Sequence, residues 1–264
     1  MDLKLEKKRA LITASTAGIG LAIAKRLADE GAIVYINGRS KQRVETAIQE
    51  IRKEHPKITV EGIDADLTQL AEIEKLIKKL PSVDILINNL GIYQPKAFEE
   101  ITDEDWQKIF EVNVMSGIRL SRHYLPQMKA NNWGRIVFIS SESGLNIPAE
   151  MIHYGMTKTA QLAIARGLAE TTAGTNVTVN AVLPGPTNSE GVAQFISDMA
   201  KTQNKDLKVI EKEFFKTVRP SSLIQRFATT DEVAATVAFV CSPLAAAVNG
   251  TSLRVDGGVV RSIA

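Results

Sequence analysis

A single cysteine, Cys241, stands in 264 residues, which excludes an internal disulfide and a cysteine-based metal site and fits a reducing compartment. Three histidines, His55, His123 and His153, are scattered, so no metal cluster reads from their spacing. Aromatic residues make up only 5% and no basic stripe is interleaved with them, which argues against a nucleic-acid partner. No apolar run is long and unbroken enough to span a bilayer. The first residues, Met1 to Arg9, are charged and carry no apolar signal stretch. The expectation is a soluble cytoplasmic protein with neither a membrane nor a nucleic-acid partner.

Hydrophobic residues, by contrast, reach 44%, and the net charge is +2 with acids and bases mixed. Such a chain is globular and long enough to bury a sizeable core. Short apolar runs at 10–13, 33–37, 58–62, 85–88, 135–140, 176–182 and 252–255 read as strands. Helical patterns lie between them, at 19–30, 41–55, 68–80, one long stretch over 102–131, 152–172 and 230–241. This alternation predicts an α/β fold of parallel βαβ units with right-handed crossovers. Ile85-Leu86-Ile87 and Ile136-Val137-Phe138-Ile139 are continuously apolar, as in a sheet covered on both faces. One domain over 1–264 fits best, since no linker, repeat or low-complexity tract interrupts it.

The segment Asn188 to Gln225 breaks the rhythm. It is polar and helix-prone, with an apolar side made of Phe195, Ile196, Met199, Phe214 and Phe215. Ligands of α/β sheets bind beyond the carboxyl ends of the strands, so a helical insertion there reads as a lid. A surface hairpin or a subunit contact is the other reading.

Three features carry chemistry. Tyr154 and Lys158, four apart in a helical pattern, share one helix face. A fixed ammonium beside a phenol is expected to lower its pKa and make it a usable proton donor or acceptor. The turn Thr13-Ala14-Ser15-Thr16-Ala17-Gly18-Ile19-Gly20 follows a strand and opens a helix, the order required of a pyrophosphate site. After the second strand stand Gly38 and Arg39 where an NAD site would place a carboxylate. A guanidinium pairs with a 2′-phosphate, which favours NADP over NAD.

With these features together, the chain resembles the short-chain dehydrogenase/reductase family over nearly all its length. Thr13, Gly18 and Gly20 match the family's Thr-Gly-x-x-x-Gly-x-Gly turn; Ala14 departs from its first glycine, implying that this position avoids positive φ. The resemblance implies a Rossmann-like, doubly wound parallel sheet of about seven strands flanked by helices. It implies cofactor contacts from Thr13, Ser15, Thr16, Gly18, Ile19, Gly20 and Arg39, and from Asp66-Leu67 at the adenine. Asn89 and Gly91, in Asn88-Asn89-Leu90-Gly91, belong to the same set, as do Tyr154 and Lys158. So do Pro184, Gly185 and Thr187 on the nicotinamide side, near Val182. Asn113 is similar to the family asparagine that organises a water leading from the lysine to solvent. The active serine lies thirteen positions before the tyrosine, which selects Ser141, with Ser140 as neighbour.

The catalytic set so implied is Asn113, Ser141, Tyr154 and Lys158. The implied reaction is hydride transfer between NADP(H) and a small carbonyl or secondary alcohol. Two alternatives stand beside it. A 3-oxoacyl carrier-protein reductase needs a basic docking patch, for which Arg119, Arg122 and Lys129 are candidates. A non-enzymatic nucleotide sensor or scaffold needs only the fold. By resemblance the long helices at 102–131 and 152–172 make subunit contacts, giving a homodimer or homotetramer.

Overall fold

The computed structural model describes residues 1–56 and 58–263, without the side chains of Gln194, Phe195 and Asp198. The expected place of Phe195 on the apolar side of the insertion, and Ala264 as domain end, lie outside the described residues.

Seven strands form: β1 (Arg9–Ile12), β2 (Ile33–Gly38), β3 (Val60–Asp64), β4 (Ile85–Asn88), β5 (Gly134–Ile139), β6 (Val177–Pro184) and β7 (Ser252–Val255). They make one sheet in the order β3-β2-β1-β4-β5-β6-β7, every neighbouring pair parallel. The order reverses between β1 and β4. At such a switch point the connections leave in opposite directions and open a cleft beyond the strand ends.

Nine α-helices are seen among the described residues: α1 (Gly18–Asp29), α2 (Lys41–Glu54), α3 (Leu70–Lys79), α4 (Asp103–Phe110), α5 (Ser116–Ala130), α6 (Ile152–Glu170), α7 (Glu190–Gln203), α8 (Leu207–Thr217) and α9 (Thr230–Cys241). Side chains alternate along each strand. Ala10, Ile12, Ile85, Ile87, Val137 and Ile139 therefore join a core under α1, α2 and α9. Leu11, Leu86, Ile136 and Phe138 join a second core under α3, α5 and α6. Each fully buried leucine, isoleucine or phenylalanine contributes about 1.5–3 kcal/mol, so both faces hold the strand ends rigidly.

The single helix expected over 102–131 is instead two helices joined by a wider π turn, Glu111–Met115. Thr102 and Asp105 start α4 with a reciprocal capping box. The insertion 188–225 folds as α7 and α8. Ser189 and Asp206 cap them, and Asn204 ends α7 in the left-handed conformation at φ 51°. Ile196, Ala200 and Ile210 give this hairpin a small core of its own.

Candidate active site

The nucleotide turn begins where β1 ends. Thr13 donates its hydroxyl to Ile87 O and accepts from the amides of Asn89 and Leu90, at 2.8 and 2.9 Å. It thereby sews β1 to the end of β4. Ser15 donates to Ile12 O at 2.7 Å and accepts from Asn37 N, while its own amide donates to Asn37 O. Both side chains are buried and brace the turn. The Leu67 side chain lies in the core under α3. Asp66 holds the amide and hydroxyl of Thr68.

Ala14 adopts φ 49°, which overturns the expectation that alanine here avoids positive φ. Its neighbours hold it there. Its amide donates to Asn37 Oδ1, and its carbonyl accepts from Asn89 Nδ2 at 3.1 Å. Those contacts outweigh a left-handed penalty of about 1–2 kcal/mol. Gly20 is required by closeness: a Cβ there would lie 2.6 Å from both Ala14 O and Asn89 Nδ2.

α1 starts at Ala17 with no side-chain cap, as do α3, α5 and α6, whereas Ser40, Thr102, Ser189, Asp206 and Thr229 cap α2, α4, α7, α8 and α9. An uncapped first turn behind a tight, small-residue loop suits an anion such as a pyrophosphate. Thr16, Gly18 and Ile19 lie at this mouth, partly exposed. Arg39 is exposed beyond β2 with no hydrogen-bond or ion-pair partner among the described residues. The residues present therefore fit a dinucleotide.

The ends of β4, β5 and β6 supply the other wall. Ser141 accepts from Ser143 N at 3.1 Å. Ser140 donates to Lys158 O, fixing α6 against β5. Lys158 Nζ donates to Ile139 O at 2.9 Å and to Gln161 Oε1 at 3.3 Å, and lies 5.6 Å from the Tyr154 ring centroid. The two side chains do share a face. Gly91 leaves room beside them, since a Cβ there would meet Lys158 Nζ at 3.3 Å. Gly185 passes so close to Asp256 O that a Cβ would lie 2.6 Å from it, and Thr187 donates its hydroxyl to Gly185 O.

The charges differ from the expected ones. Burial pushes the Lys158 ammonium down to about 7. Burial also pushes the Tyr154 phenol up to about 12, against the opposing hydrogen bond of Ser141. Desolvation outweighs the mutual attraction that the four-residue spacing suggests.

Asn113 sits in the π turn with its amide committed. Its Oδ1 accepts from Ile92 N, and its Nδ2 donates to Ile92 O and Thr157 Oγ1. Its backbone carbonyl accepts from Gln161 Nε2 at 2.6 Å. Gln161 thus stands between Asn113 and Lys158. His153 faces Trp106 edge-on at 5.8 Å, away from the phenol.

Ser141, Tyr154, Lys158, Asn89, Gly91, Pro184, Gly185 and Thr187 line one cavity of about 510 Å³ with the insertion residues Ile196, Met199 and Phe214. Asn113, Asp66 and Arg39 lie outside its lining. The family model described as short chain dehydrogenase matches residues 8–200.

The chain belongs to the short-chain dehydrogenase family.

This short-chain dehydrogenase is 49% identical over 266 residues to the uncharacterized oxidoreductase YvrD of Bacillus subtilis strain 168, both chains being fully covered. It is 33% identical over 264 residues to the 3-oxoacyl-[acyl-carrier-protein] reductase FabG of Aquifex aeolicus strain VF5, covering 98% of this chain and all of that one. Among solved structures, L-sorbose reductase of Gluconobacter frateurii, complexed with NADPH and L-sorbose, matches at TM-score 0.92 and 28% identity over the whole of both chains. The chain is an NAD(P)-dependent oxidoreductase acting on a small molecule.

Three residues escaped the sequence reading. Asn37 pins Ala14 and donates to Ile63 O and Ala65 O, yet it reads only as a strand end. Gln161 lies one helical turn after Lys158, a spacing that does place it beside the amine. Arg219, 77 positions from Glu142, pairs with it at 3.0 Å, and no local signal announces that contact.

Proposed function

We propose that this enzyme reversibly reduces a carbonyl to a secondary alcohol with NADPH, using Ser141, Tyr154 and Lys158. The observation that carries the reading is convergence: these three side chains line one cavity at the carboxyl ends of the strands, next to an uncapped nucleotide turn. Bound NADPH would supply the hydride to the carbonyl carbon and leave as NADP.

Tyr154 gives its proton to the carbonyl oxygen as that oxygen gains charge. A phenol held near 12 is fully protonated at neutral pH, the form reduction requires. Ser141 directs its hydroxyl proton at the same oxygen and fixes it. Lys158 has two of its three donors committed to Ile139 O and Gln161, which leaves one N–H for a ribose hydroxyl or the phenolate. The π turn serves as scaffold, since Asn113 ties the loop at Ile92 to α6. Arg39, exposed and without a partner among the described residues, is suited to a 2′-phosphate and favours NADP over NAD.

In the same reading the chain is one domain, the hairpin of α7 and α8 is a lid, and α4, α5 and α6 carry contacts of a dimer or tetramer. The carrier-protein reductase alternative loses one docking cation, because Arg119 is committed to Glu111.

The test is Tyr154→Phe. Ketone reduction should fall by about 10²–10⁴-fold while NADPH binding, followed by fluorescence, stays within twofold. Reduction at a near wild-type rate would sink the proposal.

A further inference from the structure

Lys158 is buried, and no carboxylate lies within ion-pair distance of its amine among the described residues. The acceptors it has there are Ile139 O at 2.9 Å and Gln161 Oε1 at 3.3 Å. An ammonium carries three N–H bonds and accepts nothing. With two of them anchored, rotation about the Cε–Nζ bond stops and the direction of the third is set. Hydrogen bonds to the charged form also oppose the burial that pushes this amine down.

The Gln161 amide is itself buried and can sit only one way. Its Nε2 donates to the Asn113 carbonyl at 2.6 Å, and a carbonyl only accepts. Its oxygen is therefore the atom left for the ammonium. Asn113 lies in the π turn Glu111–Met115 and ties that turn to α6 on both sides of Lys158. Its Nδ2 donates to Thr157 Oγ1 at 3.0 Å, one residue before the lysine, and its carbonyl holds Gln161, three residues after. The Asn113 side chain also holds Ile92 N and O, next to Gly91, which lines the cavity with Lys158. A continuous set of hydrogen bonds thus runs from the loop after β4, through the π turn, to the amine. Gln161 is its last link and lies outside the cavity lining.

We propose that Gln161 is a positioning residue, which fixes the Lys158 ammonium so that its third N–H serves a ribose hydroxyl of the cofactor or the Tyr154 oxygen. This rests on the reductase reading above. Gln161 acts through Lys158 and touches neither cofactor nor substrate.

The first test is Gln161→Met, which keeps the length of the side chain and removes both hydrogen bonds. NADPH affinity, read by fluorescence titration, should fall about fivefold. At saturating NADPH, kcat for 4-phenyl-2-butanone should fall about tenfold with KM within about twofold, the size of a lost hydrogen bond to a charged group. Gln161→Ala leaves room for a water with the same two partners, Asn113 O and the amine, so it should lose less than Gln161→Met. A packing role predicts the reverse order, because a cavity costs more than a swap of similar volume. In the Lys158→Met background, Gln161→Met should change NADPH affinity by less than about twofold, since the group it acts through is gone. Equal losses in both backgrounds, or a greater loss from Gln161→Ala than from Gln161→Met, overturn the assignment. Loss from Lys158→Met with Gln161→Met silent overturns this assignment alone. Coupled loss of NADPH affinity in an enzyme that reduces no ketone overturns the reductase reading and keeps this one. A silent Lys158→Met overturns both.

Discussion

The nucleotide turn at 13–20 and the insertion at 188–225 meet across one cleft, where a Cβ on Gly18 would lie 3.4 Å from that of Ser189. They are built by opposite means. In the turn, Thr13, Ser15, Asn37 and Asn89 use their polar atoms on one another and on strand backbone, leaving mainly backbone for a ligand. The insertion presents side chains: Ile196, Met199 and Phe214, with Arg219 reaching across to Glu142. A wall of internally paired backbone tolerates no change of shape. A wall of apolar side chains on its own small core can be altered residue by residue, which suits it to setting specificity.

The contrast can be broken most sharply at Gly20. In Gly20→Val the added carbons meet Ala14 O and Asn89 Nδ2 from 2.6 Å, and NADPH affinity should fall at least 100-fold in a fluorescence titration. Loss of less than threefold would mean the turn is not rigid. Arg39→Ala touches the same wall through charge alone. It should weaken NADPH about tenfold and leave NADH unchanged, and equal effects on both would dismiss the 2′-phosphate role. Phe214→Ala sharpens the other side: KM for an apolar ketone should rise about fivefold with NADPH affinity within twofold. An equal loss of cofactor affinity would join the two walls into one. Smallest is Ala14→Gly. It relieves a left-handed alanine but loosens the unfolded chain by about 0.4–1 kcal/mol, so a net gain of about 0.5 kcal/mol is expected in urea unfolding. A measured loss would show that the turn's hydrogen bonds do not hold Ala14 against strain.

Legibility follows the range of the interactions. The Tyr154–Lys158 spacing places both side chains on one face because a helix repeats every 3.6 residues, and the pair is found so arranged. The seven apolar runs anticipate the seven strands within a few residues, since a sheet covered on both faces favours near-continuous apolar strands. The π turn was not legible, because one widened turn within a continuous helical pattern leaves the periodicity almost intact.

By itself, then, the sequence determined the alternation of strand and helix, the place of the nucleotide turn and the common face of tyrosine and lysine, all consequences of local geometry. Only the tertiary structure decided that the lysine is pushed down to about 7 and the tyrosine up to about 12, that Ala14 is left-handed, and that Glu142 meets Arg219. Protonation depends on how much water the fold removes, and pairing depends on which distant segments it brings together. Neither quantity is carried by residue spacing.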